Sequence, residues 1–146
     1  MANELAPSNV LPFCLAPREG RRSGCTLTVV NDDTGGRVTV RFRKPKGFKS
    51  VLVDVMTGSD NETDFAFAGT LRGTELALSP KAKCPKERAL FAKKVLDWTL
   101  RAAEAGDLRT VRCLHEGRCA RCGRKLTVPE SIDSGLGPEC RSKKVA

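Results

Sequence analysis

The chain has 146 residues and a formal charge of +9, from 26 Lys+Arg against 17 Asp+Glu. That length suits one domain, or one domain with a small appendage, and excludes a large multidomain enzyme. Hydrophobic residues are 40% of the chain and aromatics 5%, with one Trp and no Tyr, so the expected core is modest.

The longest apolar runs, such as Ser50 to Met56, fall far short of the ~20 residues of a membrane span, and no membrane partner is expected. The opening MANELAPSNVLPFCLAP carries an acid where a secretion signal has a positive start, and it lacks an uninterrupted apolar stretch. A cytoplasmic location is therefore expected. In a reducing compartment seven cysteines, at positions 14, 25, 84, 113, 119, 122 and 140, read as metal ligands where they cluster and as small apolar residues elsewhere.

Residues 1–23, with three prolines and little periodicity, read as an irregular lead-in. From Gly24 the pattern alternates. Cys25 to Val30, the turn NDDTGG and Arg37 to Arg43 form a hairpin, with Val38, Val40 and Phe42 on one face and Arg37, Thr39, Arg41 and Arg43 on the other. Val51, Val53 and Val55 mark a third strand, and DFAFAG and TELALS mark two more beyond the polar loop TGSDNETD. Lys86 to Ala105 reads as a helix, with Pro85 near its first turn and Gly106 past its end. Its stripe Ala89, Ala92, Leu96, Leu100 and Ala103, widened by Phe91, Val95 and Trp98, should cover one face of the sheet. On the opposite side, Asp97 precedes Arg101 by four residues, a favourable surface pair. The expected fold is α+β: a mostly antiparallel sheet of about five strands under one long helix over 24–106, then a small zinc module over 107–146.

That last stretch shows neither period for long and cannot fold by apolar packing alone. His115, Cys119, Cys122 and Cys140 supply one histidine and three thiolates, a full shell for one structural zinc ion. Cys113, two residues before His115, is an alternative to it. Two thiolates three positions apart can turn around one ion, and Gly123 lets the chain leave that turn at positive φ. Arg124 to Val128 then suits a hairpin arm, and GLGPEC a tight loop into a short helix presenting Cys140, as in a treble clef. Four protein ligands close the shell and argue against catalysis. No P-loop, G-x-S-x-G motif or second histidine is present, and no enzyme activity is expected.

The segment from His115 to Cys140 is similar to a short Cys-rich zinc module, a domain family of unknown function found in many bacteriophage and bacterial proteins. Such modules carry H-x3-C-x2-C-G-R-x-L-T-x-P-x-S-I-x-x-G-x-G-P-x-C, and nearly every fixed position is present in CARCGRKLTVPESIDSGLGPEC and the histidine before it. TGSDNETDFAFAGTL also resembles a G-x-D-N-x-x-D-aromatic segment that precedes such modules in small phage proteins. The resemblance implies a phage or prophage origin, a bound zinc and no established activity. By itself the acidic run Asp60, Asn61, Glu62 and Asp64 reads as a solvated loop, with a divalent ion for phosphodiester cleavage as a minor alternative.

Charge is uneven: residues 1–80 carry a net +1 and residues 81–146 a net +8. Such a surface attracts phosphates through counterion release, so nucleic acid is the leading expected partner. Arg118, Arg121, Arg124 and Lys125 in the zinc module are the first candidate contacts. Arg37, Arg41, Arg43 and Lys44 form a second basic element, with Phe48 in the following turn as a candidate stacking ring. The expected function is weakly sequence-specific DNA or RNA binding, the alternative being a module that docks on a host protein.

Overall fold

The computed structural model describes residues 3–20, 24–58 and 64–142. A 3-10 turn at Pro7–Asn9 leads into α1 (Val10–Leu15), and the strands follow: β1 (Cys25–Asn31), β2 (Arg37–Arg43), β3 (Leu52–Met56), β4 (Phe65–Arg72) and β5 (Glu75–Leu78). Helix α2 (Lys86–Glu104) precedes β6 (Val111–His115), and two short helices, α3 (Pro129–Ser134) and α4 (Pro138–Ser142), end the described chain. The strands form one antiparallel sheet in the order β5-β4-β3-β2-β1-β6. The α+β class and the long helix match expectation, and the sheet has six strands where about five were expected.

The sixth, β6, comes from the stretch read as the zinc module. Val111, Cys113 and His115 alternate inward and are buried, and Leu27 of β1 faces His115 across the ladder. The lead-in is also more ordered than expected. Val10, Phe13 and Cys14 of α1 are buried, and Pro12 is tolerated because the first helical turn has no amide bonds to lose. Ahead of it, Leu5 N–H donates to Cys113 O and His115 N–H to Asn3 O, each at 2.9 Å. The N-terminus thus covers the outer edge of β6, an edge that otherwise presents unpaired amides to solvent.

One face of the sheet is the core. Cys25, Leu27 and Val29 pack with Val40, Phe42, Val53 and Val55 under the buried stripe of α2, in which Ala89, Ala92, Leu96, Leu100 and Ala103 sit as their spacing predicts. Asp97 does not pair with Arg101. Its carboxylate turns to the sheet edge, where Oδ1 accepts the Leu76 N–H at 2.7 Å and Oδ2 takes Lys93 Nζ at 2.8 Å. Lys93 also donates to Leu76 O, so α2 satisfies the β5 edge with side chains in place of another strand.

The other face holds a buried charge. Asp54 is 1% exposed, and Arg43 clamps it through Nε and Nη2 at 2.6 and 3.0 Å while Arg41 donates to the same carboxylate at 2.9–3.0 Å. A register shift between Val53 and Asp54 accompanies this placement, and the Arg41 guanidinium lies 4.6 Å from the centre of the Phe65 ring. A buried carboxylate is tolerated only with such pairing. The double change Arg41→Ala/Arg43→Ala strands Asp54 and is expected to cost about 3–5 kcal/mol in denaturant unfolding; a loss under ~1 kcal/mol would show that the ion triad does not hold the sheet.

Candidate metal centre and its basic surroundings

After β6 the chain forms a narrow hairpin whose tip is the Cys119–Cys122 turn. Arg118 and Lys125 form an antiparallel bridge, Leu126 N–H donates to Gly117 O, and Cys119 N–H donates to Arg124 O at 2.8 Å. Gly123 leaves the turn at φ 85°, the left-handed conformation its position predicts. Helix α3 ends on Gly135 at φ 72°, and a side chain there would strike Phe13, so this glycine meets both a backbone and a packing demand. Pro138 opens α4 and Cys140 lies in its first turns, as expected from GLGPEC.

This folding brings Cys119, Cys122 and Cys140 together, their Sγ atoms within 4.8 Å of one another. Thiolates around a tetrahedral ion at ~2.3 Å would stand about 3.8 Å apart, so the three donors fit a metal ion with small adjustment. The amides also suit thiolate. Burial pushes Cys119 up, but hydrogen bonds from the amides of Gly137, Cys122 and Arg121, with a further one from the Cys122 side chain, outweigh it and hold the thiol below its ordinary value. Cys140 lies above its ordinary value, through burial and the neighbouring Cys122 thiol, and Arg121 Nη1 approaches its sulfur at 3.9 Å.

His115 does not join them. Gly117 N–H donates to its Nδ1 at 3.0 Å, which leaves the proton on Nε2, and Nε2 donates to Ile132 O at 2.7 Å. Both ring nitrogens are thus committed, and the ring lies 5.6 Å from that of Phe13. The expected histidine ligand lies outside the cysteine cluster in this structure, its side chain at the junction between sheet and module. Cys113 is no substitute: it is buried on β6, and burial, with Glu4 nearby, pushes its thiol up to about 12. It packs with Cys14 and Cys25 as an apolar residue, and burial likewise raises Cys14. Among the described residues no fourth His, Cys, Asp or Glu completes the set, so a tetrahedral ion would take its last ligand from outside these three. The closed shell expected of four protein ligands is not formed by them.

The basic candidates divide. Arg121, Arg124 and Lys125 line a cavity of about 440 Å³ beside Cys122 and Cys140, joined by Arg18 from the N-terminal segment, with Glu139 the one acid in its wall. At its base Ser131 is buried, and its hydroxyl has no hydrogen-bond partner among the described residues. Arg118 turns back on the knuckle, donating to Gly123 O at 3.2 Å. On the sheet Arg41 and Arg43 are taken up by Asp54, whereas Arg37 is exposed, Lys44 half-buried and Phe48 48% exposed. Arg18 was missed because nothing in the sequence links it to a module a hundred residues away. Asp60, Asn61 and Glu62 lie outside the described residues, and the Asp64 carbonyl accepts the Thr57 N–H.

Residues 114–144 match a family of unknown function, DUF6011. The match spans all three clustered cysteines and covers about a fifth of the chain. No curated protein and no solved structure matches. No helix is long and apolar enough to cross a membrane among the described residues.

Burial pushes the His115 pKa below its ordinary 6.5, while the Ile132 carbonyl and Glu116 act the other way. The folded state therefore prefers the neutral ring, and an unfolded chain takes up the proton first. The stability this provides is complete above about pH 6.5 and is lost as pH falls toward the folded value. His115→Gln should cost about 1–3 kcal/mol at pH 7.5 and flatten the loss between pH 7.5 and 5.5 in denaturant unfolding. An unchanged slope in the variant would remove His115 as its source.

Proposed function

We propose that the protein binds nucleic acid with weak sequence specificity and that a single zinc ion, held by Cys119, Cys122 and Cys140, fixes the surface that does so. The observation that carries this reading is the cavity beside the thiol cluster, walled by Arg18, Arg121, Arg124 and Lys125 with one acid among them. Zinc would supply a rigid cross-link between the knuckle and α4, its two charges being taken up by the three thiolates, so that the positive potential comes from the arginines and lysine around it. The chain supplies the rest. The Cys119–Cys122 turn sets the directions of Arg121 and Arg124, and Arg121, within reach of Cys140, projects from the cluster toward the cavity.

Phosphate is the ligand such a wall suits: four cations, an unpartnered buried hydroxyl and little acid favour an anion and carry no base-edge code. The sheet contributes less than its sequence promised, since Arg41 and Arg43 neutralise Asp54 and leave Arg37 and Lys44 as its candidate contacts. With three protein donors the shell is not closed, so a structural zinc is supported by the cross-link it would make between the knuckle and α4 and by His115, the single histidine, whose two nitrogens are engaged with backbone groups and are not poised as a base. The resemblance to modules of bacteriophage proteins favours an accessory role in a phage-infected cytoplasm.

Purified protein is expected to hold about one equivalent of zinc, with Cys122→Ser losing it and melting at lower temperature. Zinc-free wild-type protein melting like the zinc-bound form would remove the cross-link from the account. In gel-shift titrations DNA or RNA should bind at ~50 mM salt, with log K falling against log salt at a slope of about −3 to −4 if all four cavity cations neutralise phosphates. Arg121→Glu/Arg124→Glu should weaken binding to every sequence alike. Absence of a shift at ~50 mM salt, where the electrostatic contribution is large, would defeat the proposal.

A further inference from the structure

Between α2 and the β1–β2 hairpin lies a second cavity of about 600 Å³ that shares no lining residue with the one beside the cysteines. That volume is in the range of small-molecule sites. Val38 and Val95 give it an apolar floor, and Phe91 and Trp98 stand at its wall, 53% and 40% exposed. Spacings of three and four residues place Phe91, Lys94, Trp98 and Arg101 along one side of α2. The apolar stripe that includes these two rings predicted that they cover the sheet, but both are exposed. They lie at the margin of the helix contact, where large apolar side chains left partly in water mark a binding surface.

The charges around them share one sign. Arg37, Lys94 and Arg101 line the cavity, no acid does, and none of the three forms an ion pair among the described residues. Of the two acids that α2 offers within about a turn of Arg101, Asp97 is turned to β5 and Lys93, and Glu104 is exposed, does not line the cavity and forms no ion pair with Arg101 among the described residues. Thr99 adds a buried hydroxyl without a partner among the described residues. An apolar occupant would cover the rings and leave three cations without counter-charge. A small inorganic anion would leave the rings in water.

We propose that this groove binds a nucleotide, with its base stacked against Trp98 and Phe91 and its phosphate among Arg37, Lys94 and Arg101. Stacking accepts any base, since each has a π-face, so the site reads the nucleotide class and not a sequence. The nucleotide comes free or as part of a single strand. The inference extends the nucleic-acid reading and rests on it for the strand alone.

Trp98 is the single tryptophan in a chain without tyrosine, so intrinsic fluorescence reports on this groove directly. The zinc-loaded protein is titrated with oligothymidylate and, separately, with thymidine monophosphate at ~50 mM salt, where phosphate attraction is strong. Quenching by the oligomer alone assigns the site to a strand, and quenching by both assigns it to the nucleotide unit. In either case Lys94→Glu/Arg101→Glu, exposed changes checked by circular dichroism, should weaken it about tenfold or more. Emission unchanged by both ligands, or quenching equal in the double variant, overturns the proposal. A gel shift with silent Trp98 sinks this inference and leaves the cysteine-side surface standing; quenching by the monophosphate without a gel shift does the reverse.

Discussion

One imidazole joins the two parts of this protein. His115 ends the last strand of the sheet, accepts a hydrogen bond from the chain that leaves it and donates one to α3 of the cysteine module. Phe13 packs beside it from α1, Leu5 and Phe13 close over Gly135, and Asn9 reaches the Asp133 carbonyl at 3.0 Å. The module is consequently built onto the sheet, and the N-terminal segment fills the seam. A ring satisfied on both sides in a buried position is a structural element with little freedom left to bind metal. Its place leaves the three clustered thiols as the group that could hold a metal ion among the described residues.

The positive surface is sorted by structure in a way that counting charges along the chain does not reveal. The arginine-rich strand β2 looks like a binding face until Asp54 is found beneath it, holding two of its guanidiniums. Arg112 is similarly spent on Asp32 at 2.7 Å, and Lys93 on Glu75 and Asp97. The cations of the two cavities are disposed differently: they gather where acids are few. Net charge sets long-range attraction, but pairing decides which cations can exchange their partners for phosphate.

The hairpin of β1 and β2 was readable because its alternation is clean and its turn is rich in Asn, Asp and Gly, and α2 because its small apolar stripe repeats at helical spacing between Pro85 and Gly106. The C-x2-C turn with Gly123 and the presentation of Cys140 by α4 were equally local and equally legible. β6 was not. It is five residues long, and the Cys and His that alternate inward on it are residue types that also ligate zinc, so its pattern read as chemistry. The pairing of Asp97 with Lys93 and a strand amide, and the placement of Arg18 near Arg121, depend on contacts between distant residues, which local spacing does not encode. Trp98 sits at the boundary between the buried and exposed sides of α2, where periodicity discriminates least.

The strap of Asn3 to Leu5 along Cys113 to His115 ties positions about 110 apart in the chain. During synthesis Asn3 to Leu5 emerge well before β6 and meet these backbone partners only once β6 has followed them out of the ribosome. The hairpin β1–β2 and the antiparallel neighbours β3 to β5 can form from local contacts in the meantime, with β1 waiting as a bare edge. Closing that edge is therefore a late event, and the seam that carries the cysteine module is assembled with it.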